Sequence, residues 1–182
     1  IEASKKAIQD AHIKIESIDC IIFASASHDI TEPATGNIVQ AWLGIHVPVF
    51  DIKNACNSFL NGLQMARSLI KSWQYKTILV CSGETPSRAI RWNTKDRDDF
   101  RQSLAGYNLW DAWVAMVLWE EKKNKPVVSF TEFYSKWIYF DASTISGWGS
   151  RFPRDLEKTY FISDSKRLSE AFGQDAKTFL FY

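Results

Sequence analysis

Apolar and polar positions along the chain follow two alternating rhythms. Over residues 2–11, Ala3, Ala7, Ile8 and Ala11 recur at three- and four-residue spacing, which predicts a helix with one apolar stripe. Ile18 to Ala26 (IDCIIFASA) is instead a near-continuous apolar run of strand length, the pattern of a strand covered on both faces. A loop of Ser, Asp and Thr follows, and Pro33 then opens a helix ending near Gly44. Val47 to Ile52 (VPVFDI) predicts a second strand. Residues 57–72 predict a helix with Phe59, Leu60, Leu63, Ala66, Leu69 and Ile70 inward. Lys76 to Ser82 (KTILVCS) predicts a third buried strand, closed by Gly83.

Strands alternating with helices imply crossover connections and a largely parallel sheet between helical layers. The rhythm breaks at Glu84–Leu109, which reads as a polar, charge-rich loop. It resumes with strands at Ala112–Leu118 and Val127–Tyr134, and Glu120–Lys125 (EEKKNK) as the turn of an antiparallel edge hairpin. Ser143 to Pro153 reads as loop, and residues 163–172 as a last helix capped by Asp164 or Ser163. This places an α/β half-domain over residues 1–142, with a loop and helix over 143–182.

Composition narrows the function classes. The chain has 182 residues, 46% apolar and 24% charged, enough for a packed core and unlike a disordered segment. Lys and Arg total 22 against 21 Asp and Glu, a net charge of +1, which argues against a nucleic-acid partner. The longest apolar stretch, Trp113 to Trp119, is too short to span a bilayer, so no membrane role is expected. No charged-then-apolar leader opens the chain, although Ile rather than Met heads it, so this decides little. The three cysteines form no CxxC and the three histidines stand at no ligand spacing, so no metal is expected. A reducing, cytoplasmic location is the default.

The richest segment is Phe50 to Gly62, FDIKNACNSFLNG. A buried strand ends, a short turn follows, and Cys56 falls where the next helix begins. There the unpaired backbone N–H groups and the helix dipole favour a thiolate, and the Cys56 N–H itself can face an oxyanion. A small apolar side chain filling a tight turn is the alternative. Cys20 and Cys81, flanked by apolar neighbours, read as inert core.

The run from Ile18 to Leu118 resembles the N-terminal half of a type III ketoacyl-acyl-carrier-protein synthase, of the thiolase superfamily. The matching pieces are IDCIIFAS (18–25), PATGNIVQAWLG (33–44), FDIKNACNSFLNGL (50–63) and LVCSGETPSR (79–88), in the family's order and near its spacing. The resemblance implies a thiolase-like layered fold whose two similar halves each carry a mixed five-stranded sheet between helices. It makes Cys56 the catalytic nucleophile, acylated by an acyl-CoA before decarboxylative condensation with a malonyl thioester on an acyl-carrier protein, as in fatty acid or polyketide synthesis. Coenzyme A thioester is then substrate, and no cofactor is expected. A homodimer is implied through the strand around VPVFDI.

The chain also departs from the family. A His and an Asn from the second half complete the family's triad. None of His12, His28 or His46 lies in such a motif, so these residues alone are not expected to condense anything. The family's small-residue strand G-D-G-A-G-A aligns with WDAWVA, residues 110–115. Asp111 is kept, as a structural residue. Trp110 and Trp113 replace small residues, either shortening an acyl tunnel or packing outward. Glu32 stands where the family often has an apolar side chain lining the acyl pocket; it contacts substrate there or lies in solvent. Asp96-Arg97 resembles an Asp-Arg pair whose Arg contacts the CoA nucleotide, against the alternative of a solvated loop. Glu84 and Ser87, in the run GETPS (83–87), resemble a family pattern with an expected structural role. The rival readings are a catalytically silent homologue that binds an acyl or carrier partner, a hydroxymethylglutaryl-CoA synthase-like enzyme, or another acyltransferase.

Overall fold

The protein is described by a computed structural model over residues 1–120, 132, 138, 142–145, 161–164, 166–167 and 170. It divides into two compact units. The first comprises Ile1–Thr85 and Asp111–Thr131, the second Pro86–Trp110 and Glu132–Tyr182.

In the first unit the elements run α1 (Glu2–Asp10), β1 (Cys20–Ala24), α2 (Thr35–Leu43), β2 (Val49–Ile52), α3 (Ser58–Lys71), β3 (Thr77–Glu84) and, after the excursion through the second unit, β4 (Ala112–Trp119). The strands form one sheet in the order β2-β1-β3-β4. β1 lies parallel to both β2 and β3, and β4 runs antiparallel to β3, with Ile78 opposite Leu118 and Gly83 opposite Trp113. The mixed sheet therefore agrees with the expected architecture. The fifth strand, expected over Val127–Tyr134, lies outside the described residues except for Glu132, which is in no strand.

The sheet is covered on both faces, as the unbroken apolar runs Cys20–Ala24 of β1 and Ile78–Cys81 of β3 require. Alternation sends Ile21, Phe23, Leu79, Cys81 and Val117 to one side, where they pack with Ile8 of α1 and with Val39 and Leu43 of α2. Cys20, Ile22, Ala24, Ile78 and Val80 go to the other, against Ala66, Leu63 and Phe59 of α3. Gly62 sets how closely α3 approaches. A Cβ there would stand 2.8 Å from the Ala24 Cβ and 3.0 Å from the Val80 Cγ1. Leu60, expected inward, is exposed instead. It lies on the opposite side of the helix from Gly62 and Ala66.

The second unit corrects the loop expected over Glu84–Leu109. Short 3-10 turns at Pro86–Ala89 and Leu104–Asn108 bracket helix α4 (Arg97–Ser103). Asp96 starts α4, its Oδ1 accepting from the N–H groups of Asp98 and Asp99. Arg91 and Asp99 form an ion pair, and the Tyr107 hydroxyl donates to the Arg91 carbonyl at 2.7 Å. Trp92 and Phe100 flank the Tyr107 ring. The loop expected from Ser143 holds a strand as well. β5 (Ser143–Ile145) pairs antiparallel with β6 (Phe161–Ser163). Beyond it, Lys166, Arg167 and Glu170 are helical, and the Asp164 Oδ1 accepts from the Lys166 and Arg167 N–H groups as a cap does.

Candidate active site

The turn between β2 and α3 carries the central candidate. Ile52 ends the strand, Ser58 begins the helix, and Cys56 stands two residues before it with its thiol exposed. Ala55 holds a left-handed φ of 46°, a conformation that costs a Cβ-bearing residue of order 1 kcal/mol. Side chains of α3 tie the turn down. The Ser58 hydroxyl donates to the Ala55 carbonyl at 2.6 Å and accepts from the Asn54 N–H at 2.8 Å. The Asn61 Oδ1 accepts from the Asn54 Nδ2 at 2.6 Å and from the Asn57 Nδ2 at 3.4 Å. Cys56 is thus flanked on both sides by residues bonded into the first turns of the helix.

The other two thiols differ. Cys20 and Cys81 are buried in β1 and β3, and burial pushes each up from the ordinary 9.0 to about 11. Both are held in the unreactive thiol form at neutral pH.

Glu84, at the end of β3, grips the loop that follows β1. Its Oε1 accepts from the Ala26 N–H at 2.6 Å, and its Oε2 from the Ser27 N–H at 3.0 Å and from the Ser27 hydroxyl. The Ser27 hydroxyl oxygen in turn accepts from the Thr85 N–H at 3.0 Å. One carboxylate therefore welds the C-terminal ends of two adjacent parallel strands. Beside them lies a cleft of about 450 Å³, lined among others by Phe23, His28, Glu32, Asp51 and Lys53. Glu32 is exposed at this cleft. Asp51 does structural work there: its Oδ2 and Oδ1 accept from the Thr35 and Gly36 N–H groups at 2.8 and 2.9 Å, closing the start of α2 from the neighbouring strand. Its signal was a lone charge at the end of the apolar run VPVFDI.

The remaining candidates are spread over both units. Trp113 is 64% exposed on β4, on the same sheet side as Ala115 and Val117, and Asp111 is exposed just ahead of that strand. Trp110, in the second unit, is 80% exposed. Neither indole is among the residues that line the described cleft. Arg97 opens α4 with its side chain in solvent, and Ser87 is half-buried in the 3-10 turn, its carbonyl accepting from the Ile90 N–H at 3.2 Å. Among the described residues no cluster of His, Cys, Asp or Glu could hold a metal ion, and no helix is long and apolar enough to cross a membrane.

Comparison with known proteins places this architecture. Residues 50–136, which include Cys56, match the family model of 3-oxoacyl-[acyl-carrier-protein] synthase III. A β-ketoacyl-[acyl-carrier-protein] synthase III of Caldanaerobacter subterraneus is 42% identical over 98 residues, covering 53% of this chain and 29% of that protein. The enzyme of the same name from Rickettsia massiliae is 38% identical over 96 residues, 52% of this chain and 30% of its own length. The chain thus spans about a third of the curated relatives it matches. Among solved structures, a variant of Xanthomonas campestris OleA superposes with a TM-score of 0.74 at 26% identity, over 98% of this chain and 53% of that one. The 3-oxoacyl-[acyl-carrier-protein] synthase III of Aquifex aeolicus superposes with a TM-score of 0.72 at 25% identity, over 92% and 49%. The mixed sheet, its two helical coverings and these neighbours define a thiolase-like layered fold. Within that class, about half of the chain is similar to the type III ketoacyl-acyl-carrier-protein synthases.

Proposed function

We propose that this chain carries the acyl-accepting half of a condensing enzyme, with Cys56 as nucleophile. The observation that carries the reading is a solvent-exposed thiol on a tightly bonded strand-to-helix turn, inside the segment that matches the synthase III family. The Cys56 thiolate would attack the thioester carbonyl of an acyl-CoA. The new S–acyl bond forms as the CoA thiolate leaves, and that thiolate takes up the proton the cysteine gave away. In the second stage a malonyl thioester on an acyl-carrier protein would lose carbon dioxide, and its carbanion would attack the acyl carbonyl, forming the new C–C bond as the C–S bond breaks and the Cys56 thiolate leaves. Stabilising the enolate and the thioester oxyanion calls for preorganised donors, the role of the His and Asn that the family resemblance implies in a second half. Arg97 would meet the CoA nucleotide, and Glu32 a polar end of the acyl group. β2 is an outer strand of the described sheet, so its free edge suits pairing with a second copy in a homodimer.

The test is intact-mass analysis after incubation with a panel of short acyl-CoAs. One acyl group should appear on Cys56, mapped by peptide sequencing, and should be absent from Cys56→Ala. No mass gain with any acyl-CoA or acyl-carrier protein, together with ordinary thiol alkylation at Cys56, would favour the silent homologue that only binds such partners. The exposed Trp110 and Trp113, where the family has small residues, are the observation that keeps that second reading in play.

A further inference from the structure

Beyond its own backbone bonds, such as the Asn57 N–H to the Asn54 carbonyl at 3.0 Å, the Cys56 turn is held by two side chains of one helix. Ser58 is 1% exposed, and its hydroxyl is satisfied twice over by the backbone on the N-terminal side of Cys56. Asn61, one turn further along α3, accepts from the side chains of Asn54 and Asn57, which stand on either side of the cysteine. Its own amide is spent on the Gln64 Oε1 at 3.3 Å, which fixes which way the Asn61 oxygen points. Between these two holds lies Ala55, whose left-handed φ of 46° persists only where its surroundings impose it.

We propose that Ser58 and Asn61 are positioning residues, a two-point clamp that fixes the Cys56 backbone and so aims its thiol. Ser58 holds the backbone before the cysteine. Asn61 joins the side chains before and after it. Losing either hold lets Ala55 relax toward an ordinary φ, and the Cα–Cβ direction of the next residue turns with it. The inference rests on Cys56 being the nucleophile, and its tests separate the two.

The measurement is the rate of Cys56 modification in the full chain, by acyl-CoA and independently by iodoacetamide, with amide exchange at Asn54 as a local readout. Ser58→Ala and Asn61→Leu should slow acyl transfer by about tenfold or more, because misplacing a reacting atom by even 1 Å is that costly. The Asn54 amide, stripped of its acceptor in Ser58→Ala, should exchange faster. Leu nearly matches Asn in size but accepts nothing, whereas Asn61→Asp keeps the accepting oxygen. Recovery of the rate in Asn61→Asp but not in Asn61→Leu would identify the hydrogen bonds, and not packing, as the cause. Parent-like rates in both Ser58→Ala and Asn61→Leu overturn the clamp, as does a rate loss matched by an equal loss of folded protein. Should the parent chain accept no acyl group, the proposed function fails, and the iodoacetamide rates with amide exchange still decide the clamp.

Discussion

Cys20 and Cys81 differ from Cys56 only in where the sheet puts them, and the difference is measurable. In the folded chain iodoacetamide at pH 8 should label Cys56 and spare the two strand cysteines until the chain is unfolded. Peptide mapping of the labelled sites checks this. The raised thiols also predict a pH effect. Unfolding returns each from about 11 to its ordinary 9.0, so above pH 9 the unfolded chain holds fewer protons than the folded one. Stability is fully kept below pH 9 and falls as pH climbs toward 11. Denaturant melts at pH 8 and pH 10.5, compared with a Cys20→Ala, Cys81→Ala double variant, read it out. Glu84 offers a second residue-scale test. Glu84→Ala leaves the Ala26 N–H without its acceptor and the Ser27 N–H with the Ser25 hydroxyl alone, at a cost of about 1–3 kcal/mol in a denaturation curve.

At the scale of elements, the contact between α3 and the sheet has the least slack. Gly62→Ala drives a methyl group to 2.8 Å from the Ala24 Cβ and 3.0 Å from the Val80 Cγ1. Its neighbours are strand side chains packed on their far side, so the helix has to lift. A destabilisation of about 1–3 kcal/mol is expected by thermal or chemical melting, against the slight gain that Ala brings to an unobstructed helix. The strands and the first three helices are legible in the sequence because burial on both faces writes unbroken apolar runs, and one-sided helices write a 3.6-residue stripe. Helix α4 is hidden because Arg97–Ser103 is polar almost throughout; its one written sign is Asp96 with acids at the next two positions after Arg97. β5 and β6 are three residues each, too short for any period to register. The Cys56 turn is half legible. The cysteine announces itself by its place between strand and helix, but the bonds from Ser58 and Asn61 depend on a left-handed Ala55, which no residue pattern declares.

At the scale of the whole molecule, the proposed function gives Cys56 the acyl-accepting step and leaves the condensing step to the histidine and asparagine that the family resemblance assigns to a second half. Acyl-Cys56 should therefore accumulate when the 182-residue chain meets acyl-CoA and a malonyl thioester, with no 3-oxoacyl product. Product should form only when a polypeptide carrying those two side chains is supplied to these 182 residues. Trapped carbon dioxide from labelled malonyl thioester, followed with and without that polypeptide, measures it.

The placement of the three sulfur atoms has one more consequence. Cys56 is exposed while Cys20 and Cys81 are buried in the sheet, so neither of the other two cysteines of these 182 residues is placed to resolve it. Peroxide that converts it to a sulfenic acid finds neither Cys20 nor Cys81 within reach to trap that state as a disulfide. Oxidation then runs either to a cross-link between two molecules, reversed by a reductant, or onward to the sulfinic acid, which a reductant does not reverse.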